Sequence, residues 1–85
     1  MAMFSALVEV RLRPGIADPQ GATIERALPA LGFSGVTGVR AGKSFRFVVE
    51  AADAAEAQAT ARALCDRLLA NPVIEDSSVT VLSED

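Results

Sequence analysis

The side chains that could do chemistry are few, and none has the company that chemistry needs. Cys65 is the only cysteine and there is no histidine, so a thiol nucleophile here has no imidazole to activate it. It also falls on the apolar stripe of a helical segment, beside Leu64 and Leu68, where a free cysteine behaves as a small hydrophobe. One thiolate without histidine is too little for a zinc site, and a single cysteine excludes a disulfide within the monomer. The carboxylates come in adjacent pairs, Glu75-Asp76 and Glu84-Asp85. Neighbours on a strand point to opposite faces, so neither pair converges as an acid–base dyad, and both read as solvated charge. Glu56, Arg62 and Asp66 fall on the outer face of a helix, where Arg62 and Asp66 form an i,i+4 pair of a few tenths of a kcal/mol. The glycine-lysine run GVRAGK (38–43) lacks the spacing and the following Ser/Thr of a phosphate-binding loop. Lys43 is instead read as a bend residue or a contact to another chain's carboxylate or carbonyl.

Bulk properties narrow the class further. The chain has 85 residues, read as one domain over 1–85. A domain of this size buries only about 60–65% of the surface its unfolded chain exposes, so its stability is marginal unless something supplements the core. With disulfide and metal set aside, association remains. The formal net charge is −3, with 8 basic against 11 acidic residues, and the only aromatics are four Phe. A nucleic-acid binder needs concentrated positive charge and stacking rings, so nucleic acid is not expected as a partner. The apolar runs are short and broken by charges, and the N-terminus lacks the basic flank of a signal peptide, so no membrane association is expected and a reducing, cytoplasmic setting is.

The elements that must position these residues can be read in order. From Phe4 to Arg13 the chain alternates, with Phe4, Ala6, Val8, Val10 and Leu12 on one face, which is a strand with one buried side. Pro14-Gly15 ends it. Asp18 caps a helix that begins at Pro19 and carries Ile24, Ala27, Leu28 and Leu31 at helical spacing, with Gly32 as its left-handed stop. Pro29 inside that stretch predicts a kink or an irregular last turn. GVTGVRAGK (35–43) reads as a short strand, bulge or bend, and SFRFVVEA (44–51) as a clear strand, so the second strand is expected to be split. Asp53 caps a second helix with Ala57, Ala61, Leu64, Cys65 and Leu68 inward, closed by Asn71-Pro72. A last strand places Val79 and Val81 in one phase.

The order strand, helix, split strand, helix, strand implies an α+β, two-layer domain: a mostly antiparallel sheet with both helices on one face. The other face then shows Leu7, Val48 and Leu82 among Ser5, Glu9, Arg46 and Thr80. A half-apolar outer face with free sheet edges favours a homo-oligomer.

Four segments carry a family resemblance. RLRPGIADPQG, LPALGF, GVRAGK and LCDRLLANPVIEDS follow one another in the order and spacing of the PurS-type small subunit of phosphoribosylformylglycinamidine (FGAM) synthase, and the chain is similar to that family over nearly its whole length. The resemblance implies a ferredoxin-like subdomain. It implies a role in the fourth step of de novo purine synthesis, in an ATP-dependent ligase and amidotransferase that converts FGAR, ATP and glutamine to FGAM. The expected partners are a large synthetase subunit, which uses ATP and magnesium, and a glutaminase subunit. This chain would bridge them for protected ammonia transfer, with no catalytic residue, cofactor or metal of its own, as a dimer or tetramer. Matching positions are Arg13, Pro14, Gly15, Asp18, Pro19, Gly21, Leu31, Gly32, Val39, Gly42, Lys43, Asn71, Pro72 and Glu75. Pro29 departs from the family pattern and bears on the local helix. By residue type, Arg13, Lys43, Asn71 and Glu75 are expected to contact partners, and Pro14, Gly15, Gly32 and Pro72 to shape turns.

Two other readings compete. A free-standing ferredoxin-like regulatory dimer would trap a small molecule at a helix–strand junction such as RPGIADPQG, although such sensors are commonly fused to an enzyme. An autonomous enzyme built on Cys65 has the least support.

Overall fold

A computed structural model describes residues 1–84; Asp85, half of the Glu84-Asp85 pair, lies outside them. Strand β1 (Ala2–Leu12) is followed by helix α1 (Pro19–Ala27), a short 3-10 turn (Pro29–Leu31) and strand β2 (Gly42–Ala51). Helix α2 (Ala54–Leu64) runs on into a π-helical turn (Cys65–Leu69), and strand β3 (Glu75–Ser83) closes the order. The sheet order is β2-β1-β3, and both neighbours pair antiparallel to β1. The α+β class and element order are those read from the sequence. The expected split of the second strand is simpler in the structure: among the described residues only the part from Gly42 is a strand, and 36–41 is irregular.

The inner face of the sheet holds the core. Val8 and Val10 of β1, Ala51 of β2, and Ala57, Ala61 and Cys65 of the α2 segment are 2% exposed or less. Phe4, Ala6 and Val49 join them, and Phe45, Phe47, Val79 and Val81 pack around the rim. Alanines on α2 let its backbone approach the sheet closely, so a thin layer excludes water with few large side chains. Asp53 caps α2 by accepting from the Glu56 backbone N–H at 2.8 Å, and Arg62 ties the helix to β3 by donating to Ser77 Oγ at 2.8 Å.

The two helices divide the work unequally. Helix α2 packs on all three strands, whereas α1 packs mainly on the 3-10 turn that follows it. The register explains why. Arg11 faces Gly42 across the β1–β2 ladder, so residues 13–41 leave and re-enter at one end of an antiparallel pair and must project beyond the sheet. The result is a long, thin molecule of 52 × 29 × 14 Å. Ile24 and Leu31, expected on the apolar stripe of the helix, are 44% and 69% exposed on this arm, and Phe33 and Val36 beyond it are 55% and 46% exposed.

Proline and glycine act where the sequence places them. Helix α1 ends at Ala27, Pro29 opens the tight turn, and Gly32 stops it in the left-handed region at φ 93°. Gly21 has a different reason: a Cβ there would lie 2.6 Å from the Val39 carbonyl oxygen and 2.5 Å from an Asp18 carboxylate oxygen. An expected core residue of the second helix also moves out. Leu68 is 74% exposed, because the turn after Leu64 is π-helical, with the Ala70 N–H donating to the Cys65 carbonyl at 2.9 Å. One extra residue per turn shifts the phase, and Leu69 takes the inward place.

Candidate functional site

The four residues singled out by type, Arg13, Lys43, Asn71 and Glu75, come from four places in the chain and meet at one corner. Arg13 follows the end of β1, Lys43 is the second residue of β2, Asn71 lies in the loop after the π turn, and Glu75 opens β3. Glu75 is the hub. One carboxylate oxygen accepts from the Asn71 N–H at 2.7 Å, and the other pairs with Lys43 Nζ at 3.4 Å. Lys43 also reaches the Leu69 carbonyl at 3.4 Å. Asn71 Oδ1 accepts from the Val73 N–H at 3.0 Å, an Asx turn. Arg13 donates to the Pro72 carbonyl and pairs with Asp76 at 3.3 Å, while its own N–H donates to the Ile74 carbonyl at 2.9 Å.

These bonds brace the loop 70–74, with Glu75 and Asn71 both engaged by the chain itself. The Glu75 side chain is only 12% exposed, against 48% for Arg13 and 52% for Lys43. What the corner offers outward is the Arg13 and Lys43 cations on a rigid frame, each aimed by one carboxylate, that of Asp76 itself 46% exposed. Such groups can receive a carboxylate or backbone carbonyl from another surface. They hold no nucleophile and no general base.

A second knot lies across the root of the α1 arm. Asp18 Oδ1 accepts from the Gly21 N–H at 3.0 Å and Oδ2 from the Ala41 N–H at 2.8 Å. Those two bonds, with Arg40 nearby, hold the Asp18 carboxyl below its ordinary value against a partial penalty from burial. Glu25 accepts from the Val39 N–H at 2.8 Å. Arg40 reaches the carbonyls of Leu12, Arg13 and Ile16 at 3.4–3.5 Å. Sequence reading missed Arg40, because backbone carbonyls leave no mark in the sequence. It missed the Ser77 contact of Arg62 for lack of any local spacing. The segment RPGIADPQG does line part of an open cleft of about 710 Å³, but its carboxylate and the facing guanidinium are turned onto the chain's own backbone, not toward a ligand. Cys65 is fully buried. Among the described residues no three His, Cys, Asp or Glu come together to hold a metal ion, and no helix is long and apolar enough to cross a membrane.

Comparison with known proteins agrees with the architecture. A family model described as PurS, phosphoribosylformylglycinamidine (FGAM) synthase, matches residues 5–83. The chain belongs to the PurS family. It is 44% identical over 69 residues to the FGAM synthase subunit PurS of Synechocystis sp., covering 81% of this chain and 69% of that one. The crystal structure of PurS from Methanocaldococcus jannaschii superposes with a TM-score of 0.86 at 33% identity, over 96% of this chain and 99% of that one. A chain in the structure of PurLQS from Thermotoga maritima gives 0.88 at 36% identity, over 96% and 100%. As a PurS chain it is a subunit of FGAM synthase, a ligase of purine biosynthesis. Two of the glycines at matching positions have a steric reason in this structure: a Cβ on Gly21 would lie 2.6 Å from the Val39 carbonyl oxygen, and one on Gly42 2.6 Å from the Val10 carbonyl oxygen.

Proposed function

We propose that this chain bridges a glutaminase subunit and an ATP- and magnesium-dependent synthetase subunit in the cytoplasm, so that ammonia released from glutamine reaches the synthetase protected from solvent. The observation that carries the reading is the match, over nearly the full length of both chains, to a chain in the PurLQS structure of Thermotoga maritima. The chain's own chemistry supports it: the sole thiol is buried, and the side chains gathered at the corner are ion-paired and hydrogen-bonded, not poised on a substrate. The outward half of the corner, Arg13 and Lys43, contacts one of the two larger subunits. Asp76 holds Arg13, Glu75 holds Lys43, and Asn71 with Glu75 braces the 70–74 loop.

Co-elution of the three cognate chains in size exclusion, with ATP, magnesium and glutamine present, tests this. A ternary complex should form with the wild-type chain and weaken by tenfold or more in Kd for Arg13→Glu combined with Lys43→Glu, with the variant still folded. Two larger subunits that assemble as well without this chain would refute the bridging role. Unchanged binding of the double variant would move the contact elsewhere on the surface.

A further inference from the structure

Two well-exposed apolar side chains stand on a firmly tied loop. Leu68 and Val73 are 74% and 78% exposed, and both lie in the π turn and loop that carry the cation corner. Leu68 is outward because the π turn hands its inward place to Leu69, and such turns recur at functional sites. Val73 is held by the chain around it. Its N–H donates to Asn71 Oδ1, and the Ile74 and Glu75 N–H groups donate to the Asn71 carbonyl at 3.1 and 2.8 Å. A lone exposed leucine is ordinary surface. Here two apolar side chains share a short segment, 68–73, that is ordered before anything meets it, so docking it costs little conformational freedom.

The cations are interleaved with them. Lys43 Nζ holds the carbonyl of Leu69, next to Leu68, and Arg13 holds the carbonyl of Pro72, next to Val73. We infer that Leu68 and Val73 are the apolar anchors of this corner, and that they enter an apolar pocket rimmed by carboxylates on one of the two larger subunits. The inference rests on the bridging reading and gives its contact a chemistry. Arg13 and Lys43 meet the rim while the two apolar side chains fill the pocket.

A second copy of this chain is a poor occupant. Its apolar groove, walled by Leu7, Phe47, Val48 and Leu82, has Arg46 as its only charged residue, and that cation opposes the corner. Its larger cleft beside the α1 arm presents Arg26 and Arg40, while the carboxylates there, Asp18 and Glu25, are turned onto backbone N–H groups. Like charges opposed across an interface are costly, so charge selects a different chain.

Fluorescence anisotropy of the full chain, labelled at its N-terminus and titrated with the cognate synthetase, the glutaminase and both together, tests the inference. Leu68→Ala combined with Val73→Ala should raise the dissociation constant about tenfold or more, with the urea midpoint of the isolated chain close to wild type. Leu68→Met keeps the bulk and should stay within about threefold. Wild-type binding should weaken about tenfold or more between ~50 and ~500 mM salt, because the rim contacts are screened. Circular dichroism identifies a double variant that does not fold, and Leu68→Ala alone should then raise the constant about threefold or more. A wild-type chain that binds neither subunit sinks the bridging reading, and this inference with it. Wild-type binding that the folded double variant keeps overturns the inference alone. So does binding indifferent to salt, or a double variant whose only loss is self-association in sedimentation.

Discussion

Val8 and Cys65 show what a single residue contributes when the core is only one helix deep. Both are fully buried, and shortening Val8 to alanine removes two methyl groups and leaves a cavity, a loss of roughly 2–3 kcal/mol. For a chain of this size that is a large share of its stability, and it is read directly by urea denaturation. Cys65→Ser buries a hydroxyl in an apolar cluster, so we expect about 1–3 kcal/mol of destabilisation with glutamine-dependent activity of the folded complex nearly unchanged. A collapse of activity in the folded variant would make the thiol catalytic. Asp18 sets a pH dependence. Its folded-state pKa lies below the ordinary value, chiefly through the Gly21 and Ala41 N–H bonds, so its stabilising effect is present above that ordinary value, near 3.8, and is lost as pH falls through the folded value. The Asp18→Asn variant should be less stable than wild type at pH 7, with the gap closing toward pH 3 in urea melts.

At the scale of elements, the strands and caps were legible because their signals are local. Alternation gave the faces of β1, β2 and β3; Asp18 and Asp53 gave the helix starts; Pro29 and Gly32 gave the broken end of the first helix. What was not legible depends on contacts made after the elements form. Periodicity made the stripe of Ile24 and Leu31 look like core, yet the β1–β2 register carries that helix past the sheet. Periodicity also made Leu68 inward, and only the π turn at Cys65 moves that place to Leu69. The corner of Arg13, Lys43, Asn71 and Glu75 was chosen by residue type and family likeness; that the four converge is a consequence of antiparallel pairing, which brings the end of β1 to the start of β2 and of β3. Two measurements follow. Leu69→Ala should cost about 1–3 kcal/mol and Leu68→Ala within about 0.5. Amides of α1 should exchange with solvent well before those of α2, since α1 has little packed against it; equal protection in the isolated chain would contradict the arm.

On the scale of the whole molecule, shape and chemistry point the same way. A body 52 Å long and 14 Å thin has a great deal of surface for its mass and almost no interior in which to shelter a reaction. Its ion pairs hold loops, its one thiol fills space, and its exposed features are an apolar arm, a patterned sheet face and a pair of framed cations. Those are the means of a protein that works by being touched, and membership of the PurS family supplies what touches it. The most direct test is the rate of FGAR amidation by the cognate synthetase and glutaminase with ATP and magnesium, compared with and without this chain, using either glutamine or free ammonia as the nitrogen source. The bridging account predicts that omitting the chain abolishes the glutamine-dependent rate and spares the ammonia-dependent one. A full glutamine-dependent rate from the two larger subunits alone would contradict it.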